Sequence, residues 1–423
     1  MDRPTNAELF ARGQRVIPGG VNSPVRAFRS VGGTPVFVAR GEGAHVWDVE
    51  GRRYLDLVQS YGAIILGHAH PAVVDAVTTA AADGTSFGAP TEREVLLAET
   101  ICERVPSVEQ VRLTSSGTEA TMSAIRVARG ATGRDRIVKF AGNYHGHSDA
   151  LLVSGGTAMA TMGLPASAGV TAGAVADTVV APYNQVPELD AEVACVIVEP
   201  VAANMGVVAP RPGFLEGLRA ECDRVGALLV FDEVITGFRL GPAGAEGRFG
   251  VTPDLSCFGK VIGGGLPVGA YGGRADVMAS VAPLGPVYQA GTLSGNPLAT
   301  AAGLAALELL TPERYDELTK RVACFAQGLR DGFDAAGLGV QVAEVGTLVG
   351  LFVGDELPTD YDGATTTDEA TYAALFHALA ERGVALAPGA YEAMFCGLAH
   401  TDEVLQQVVE ANAEAAAAVA AAR

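Results

Sequence analysis

Short runs of apolar residues alternate with amphipathic stretches through the middle of the chain. Val193-Ala194-Cys195-Val196-Ile197-Val198 contains no charged position and has the length of a strand buried on both faces. A helical pattern over 212–225 follows it, and then Leu228-Leu229-Val230-Phe231-Asp232, a second buried strand that ends on an acid. This alternation predicts a mainly parallel central sheet in an α/β chain. Val111-Arg112-Leu113 and Arg136-Ile137-Val138-Lys139 read as further short strands, and an alanine-rich helix is expected over 120–131. Toward the N-terminus, Val36-Phe37-Val38-Ala39 and Ala44-His45-Val46-Trp47-Asp48 predict an antiparallel hairpin turning at Arg40-Gly41-Glu42-Gly43. The alanine-rich end, 411–423, is expected to be a terminal helix. Residues 61–310 are assigned to a large domain, with 1–60 and 311–423 joining from the two ends as a smaller α+β domain.

Composition narrows the class without identifying it. The 423 residues are 49% hydrophobic and include 53 glycines, enough for a large core and a smaller one. A net charge of −19 argues against nucleic acid or an anionic membrane as partner, because the global field repels both. Cys102, Cys195, Cys222, Cys257, Cys324 and Cys396 are scattered without a paired motif, as expected of thiols in a reducing compartment. The first ten residues lack the apolar core of a signal peptide, so a cytoplasmic location is expected.

The chemistry begins at Lys260, in Ser256-Cys257-Phe258-Gly259-Lys260-Val261-Ile262-Gly263-Gly264-Gly265. A lysine among small and apolar residues is a candidate Schiff-base lysine; the structural reading is a snorkelling side chain with its ammonium in water. Asp232 lies 28 positions earlier at the carboxyl end of its strand, where open sheets keep their ligands, although an Asp-Glu pair there also serves as a helix cap or metal ligand. Lysine and carboxylate together are the arrangement that holds pyridoxal phosphate and makes its ring an electron sink. Ser116, Gly117 and Thr118 lie between a strand and a helix, where N–H groups and hydroxyls offer a phosphate cup; the bland alternative is a capped helix. In Asn143-Tyr144-His145-Gly146-His147, Tyr144 is positioned to stack on a ring, His145 to contact it, and His147 to be structural. No cysteine or acid stands at zinc-like spacing from the two histidines, so no metal is expected.

With these pieces in order, the chain resembles the fold-type I, class III pyridoxal-phosphate aminotransferases over most of its length. Within that family the likeness runs to members that exchange an amino group within one molecule. It is carried by Ile17-Pro18-Gly19-Gly20-Val21-Asn22-Ser23-Pro24-Val25-Arg26-Ala27-Phe28, Glu199-Pro200-Val201-Ala202-Ala203-Asn204-Met205-Gly206, Gly291-Thr292-Leu293-Ser294-Gly295-Asn296-Pro297 and Pro388-Gly389-Ala390-Tyr391-Glu392-Ala393-Met394-Phe395. The resemblance implies that Lys260 bonds the cofactor and shuttles protons, that Asp232 partners the pyridinium, and that the cup of Ser116, Gly117 and Thr118 is completed by Thr292 from the second subunit of a homodimer. It also implies that Ser23 and Arg26 receive a substrate carboxylate, a task suited to the planar guanidinium fork, and that Tyr61, Asn204 and Glu392 position substrate or cofactor.

The chain departs from the family pattern at Tyr61 and Ala63, where tryptophan and proline are frequent, and at Ala203, where glycine is common. Intramolecular exchange requires that the diamine intermediate not escape, and a candidate lid spans Ser154 to Gly173, a segment without a charged residue. A transaminase using an ordinary amino donor shares all the cofactor residues, and a catalytically retired scaffold would lack a reason to combine them. Gly263-Gly264-Gly265 does not form a dinucleotide or phosphate-loop fingerprint.

Overall fold

The computed structural model describes residues 3–153 and 167–423. A seven-stranded sheet forms the centre, in the spatial order Gln110–Thr114, Gly269–Gly273, Leu255–Gly259, Leu228–Asp232, Val193–Val198, Arg136–Phe140, Thr178–Ala181. Five neighbouring strands, from Leu255–Gly259 to Thr178–Ala181, pair in parallel, whereas Gly269–Gly273 runs antiparallel to both its neighbours. The expected α/β class and mainly parallel sheet are therefore present. Every residue of Val193–Val198 and Leu228–Asp232 is buried, as their unbroken apolar runs require when helices cover both faces. On one side of the sheet Phe140, Tyr183 and Phe214 meet edge to face, with ring centroids 5.0 to 6.1 Å apart.

The helix Phe214–Val225 starts later than the sequence pattern because Gly213 takes φ 84°, a conformation that ends the preceding turn rather than beginning a helix. The N-terminal hairpin is also tighter than expected. Val38–Glu42 pairs with His45–Asp48, so Arg40-Gly41-Glu42 lies in the strand and only Gly43-Ala44 turns, with Gly43 at φ 56°. Arg40 stays in the strand by laying its guanidinium 3.5 Å from the centre of the Trp47 ring. The chain ends meet here, since Val384–Ala385 pairs in parallel with Arg53–Asp56 at the edge of a four-stranded sheet. A separate three-stranded sheet joins Val340–Val345, Leu348–Val353 and Met394–Phe395, and Asp402–Ala422 forms the closing helix.

Candidate active site

Five strands of the central sheet end around one cavity. Gln110–Thr114 leads to Ser116 at the start of helix Gly117–Thr132, Arg136–Phe140 leads to Tyr144 and His145, and Val193–Val198 leads to Glu199. Leu228–Asp232 ends on Asp232 itself, and Leu255–Gly259 is followed directly by Lys260. The cavity of about 180 Å³ is lined by all of these side chains together with Gly117, Thr118 and Asn204. It lies where parallel sheets hold ligands, at the carboxyl ends of their strands. Eight of the expected site residues are thus gathered at one place.

The cup is formed by close backbone approach. Ser116 Oγ accepts the Glu119 N–H at 3.2 Å, capping the helix and leaving the N–H groups of Gly117 and Thr118 to lead it. Gly269, on the antiparallel strand, makes room for this turn, since a Cβ there would stand 2.1 Å from the Ser116 carbonyl oxygen. Across the mouth, Gly146 at φ +80° lets the Tyr144–His147 loop reach the helix start, where a Cβ would meet Thr118 Oγ1 at 2.4 Å and Thr118 Cα at 2.7 Å. Thr121 Oγ1 secures the same loop by donating to the His145 carbonyl at 2.7 Å.

Asp232 is held from two sides. One carboxylate oxygen accepts the Val234 N–H at 3.1 Å and the other lies 2.7 Å from His145 Nδ1. His145 is buried, its Nε2 has no partner among the described residues, and desolvation holds its pKa below the usual value against the pull of Asp232. His145 therefore reaches the site by supporting Asp232, and the exposed His147 lies 3.3 Å from Thr118 Oγ1 through its own Nδ1. Lys260 has φ 48°, a left-handed conformation that a side chain adopts only where the surroundings enforce it. Burial lowers the pKa of its amine, while Asp232, Glu199 and Glu392 oppose that shift and Arg239 reinforces it.

The remaining candidates divide. Tyr61 feels the charges of Glu392 and Arg26, and Glu392 in turn feels that of Lys260, so these four lie in one electrostatic neighbourhood. Burial raises the Glu392 carboxyl to about 7 and pushes the Tyr61 phenol upward. Arg26 is exposed on the single turn Pro24–Ala27 and Ser23 precedes it, half-buried, with its side chain forming no cap. Thr292 is exposed and lines a different hollow, with Ser86, Thr91 and Asn296, so the chain does not bring its own Thr292 to Lys260. The candidate lid lies outside the described residues over 154–166.

Glu199 and Lys139 are buried charges at this site that the sequence does not mark as site residues. Glu199 accepts the N–H groups of Tyr144 at 2.6 Å and Ala203 at 3.0 Å and the Asn204 amide at 2.9 Å, and burial pushes its carboxyl up to about 8. Lys139, fully buried, donates to the Leu151 and Val153 carbonyls at 3.0 and 3.2 Å, and burial lowers it to about 8. Lys139 shows only as a polar letter at the end of an apolar run, a signal shared by many surface positions, and Glu199 only as part of a stretch that carries the family resemblance.

The residues present fit pyridoxal phosphate. The cup provides an uncrowded helix start, Tyr144 gives a ring beside it, Asp232 is an anchored carboxylate, and Lys260 is an amine biased toward neutrality. The described residues contain no group of histidines, cysteines and acids arranged to hold a metal.

Residues 28–415 match the family described as Aminotransferase class-III. Over 422 residues the chain is 56% identical to the glutamate-1-semialdehyde 2,1-aminomutase of Bordetella avium (strain 197N), covering 98% of this chain and 99% of that protein. Among solved structures it is similar to an omega-transaminase from Sphaerobacter thermophilus, with TM-score 0.91 and 36% identity over 99% of this chain and 98% of the other. It is also similar to a glutamate-1-semialdehyde-aminomutase from Pseudomonas aeruginosa PAO1, with TM-score 0.85 and 27% identity over 98% and 94%.

Proposed function

Because the chain belongs to the class-III aminotransferase family, we propose that it converts glutamate 1-semialdehyde to 5-aminolevulinate, a step of tetrapyrrole (porphyrin) biosynthesis, by moving an amino group within one molecule through 4,5-diaminovalerate. The near-full-length identity to an aminomutase of that name carries this reading. The similarity in shape to an omega-transaminase keeps ordinary transamination as the second reading, since the two activities use the same cofactor residues.

Pyridoxal 5'-phosphate, alternating with its pyridoxamine form, supplies an electron-withdrawing ring and carries the amino group. When it is bound, Ser116, Gly117 and Thr118 would hold its phosphate, Tyr144 would pack against its ring, and the Asp232 carboxylate, steadied by His145, would favour a protonated ring nitrogen. The Lys260 amine moves protons between carbons, which requires its neutral form near working pH, and its burial favours that form. Arg26 and Ser23 receive the substrate carboxylate, while Tyr61, Asn204 and Glu392 form the wall that orients the chain of carbons.

The reading includes a homodimer in which Thr292 serves the neighbouring site. Leu284, Tyr288 and Leu293, in the chain segment that leads to and past Thr292, are 74%, 73% and 53% exposed, apolar surface that a second copy would cover. It also includes a division into a large domain over 61–310 and a smaller one from 1–60 and 311–423, supported by the pairing of Val384–Ala385 with Arg53–Asp56. A cytoplasmic location accords with the buried free thiols, and no helix among the described residues is long and apolar enough to cross a membrane.

The test is to load the protein with pyridoxamine phosphate, add glutamate 1-semialdehyde without any other amino donor, and follow 5-aminolevulinate. Formation over many turnovers establishes intramolecular exchange. A single stoichiometric burst, or turnover only after an amino acid is added, moves the assignment to a transaminase.

A further inference from the structure

Arg239 is fully buried, yet no carboxylate is paired with it among the described residues. The hydrogen bonds it makes all go to backbone carbonyls. Nη1 donates to the Cys396 carbonyl at 3.0 Å, and Nη2 donates to the Gly62 carbonyl at 2.9 Å and the Ile64 carbonyl at 3.1 Å. The acceptors lie 332 positions apart at their closest (396 minus 64), one near each end of the chain. The Nε–H has no acceptor among the described residues, so the side chain accepts a real desolvation cost to stay where it is.

What it holds is strained. Gln59, Ser60 and Tyr61 have φ of 44°, 54° and 55°, three consecutive left-handed residues that are not glycine, followed by Gly62 at 90°. Isolated chains avoid such a run, because each Cβ then crowds the following carbonyl oxygen. It is fixed from below by Gln59 Nε2, which donates to the Asp56 carbonyl at 3.0 Å, and from the side by Phe395, whose ring would lie 2.7 Å from a Cβ on Gly62. Arg239 closes the third side, with its guanidinium carbon 5.2 Å from the centre of that same ring. Behind it, Thr347 Oγ1 donates to the Arg239 carbonyl and Tyr315 Oη to the Phe238 carbonyl, at 3.2 and 2.7 Å.

We propose that Arg239 is a positioning residue for the reaction: its buried fork locks the strained 59–62 turn against the Cys396 backbone, and so sets Tyr61 and Glu392 relative to Lys260 across the substrate-binding wall. The inference rests on the proposed function, because it concerns where that substrate is held. Arg239 sits on the loop that begins at Asp232, so the two polar anchors of the site share one short segment. Its charge also faces Lys260, together with those of Asp232, Glu199 and Glu392, and is the one cation among them.

The experiment compares wild type with Arg239→Lys and Arg239→Gln, all loaded with cofactor, by steady-state turnover of glutamate 1-semialdehyde from acid to alkaline pH and by thermal melting. Arg239→Lys keeps the charge but not the fork. It should raise KM about tenfold or more, with a smaller fall in kcat and the wild-type pH profile. Arg239→Gln removes the charge as well and should also move the acidic limb of kcat toward higher pH, because Lys260 then holds its proton more strongly. Melting that falls with KM and pH profile both unchanged overturns the proposal, as does failure of both variants to fold, since Arg239 would then serve stability alone. If wild type itself forms no 5-aminolevulinate, the functional reading fails instead.

Discussion

Lys260 faces three carboxylates that favour its ammonium form, yet desolvation, with Arg239 on its side, dominates and favours the neutral amine. An amine in that state can take a proton from carbon, whereas an ammonium cannot. Lys260→Ala should abolish turnover, by at least about 10³-fold, while far-ultraviolet circular dichroism and the cooperative melt persist. A folded variant with near-normal turnover would remove Lys260 from the mechanism. A second residue-scale prediction concerns Glu233, which is buried behind Asp232 and pushed from 4.5 up to about 7 by desolvation, against hydrogen bonds from Thr236 and the N–H groups of Ala245 and Glu246. Between those pH values the native chain keeps a proton that the unfolded chain has released. The stability this contributes is complete below about 4.5 and is lost as pH rises through about 7, up to about 3 kcal/mol in all. Glu233→Gln does not titrate, so its melting temperature should gain on wild type between about pH 5 and about pH 8. A difference that stays constant across that range refutes the assignment.

The phosphate cup is a property of elements more than of side chains, because it exists only where the loop after Arg136–Phe140 touches the start of helix Gly117–Thr132. Gly146 permits that contact twice over, by its φ of +80° and by lacking a Cβ that would strike the Thr118 backbone at 2.7 Å. Gly146→Ala should push the loop off the helix and weaken cofactor binding about tenfold or more, read by titrating pyridoxal phosphate against its bound absorbance. Unchanged affinity would mean that the loop can retreat without opening the cup. At this scale the sequence is informative where burial is two-sided: Val193–Val198 and Leu228–Asp232 are unbroken apolar runs, and the second places Asp232 at a strand end by its pattern alone. Gly269–Gly273 was silent, because a strand of glycine, alanine and tyrosine carries little hydrophobic period, and its role is to be thin beside Ser116. Arg239 was silent for another reason, and Glu199 was legible only as one letter of the stretch that carries the family likeness. A buried charge is written with the same letter as an exposed one, and only the carbonyls and N–H groups around it, brought from distant positions, reveal which it is.

For the whole molecule, the informative residue is the one the fold leaves out. Thr292 stands in the stretch that carries the family likeness, but the chain places it at the surface, in a hollow separate from Lys260 and in a segment that also exposes Leu284, Tyr288 and Leu293. An isolated subunit would then have an incomplete cup and an unpartnered apolar face, and a twofold dimer would resolve both at once by exchanging identical surfaces. The arrangement can be tested without a structure of the dimer. Lys260→Ala and Thr292→Ala subunits should each form weakly active or inactive dimers, and mixing them with subunit exchange should restore activity. In a mixed dimer the site with an intact Lys260 receives Thr292 from the Lys260→Ala subunit, so one of its two sites is complete. Random exchange of equal amounts then yields about a quarter of wild-type turnover. If Thr292 served its own subunit, every intact Lys260 in the mixture would stand beside a mutated Thr292 and every intact Thr292 beside a mutated Lys260, and mixing would restore nothing.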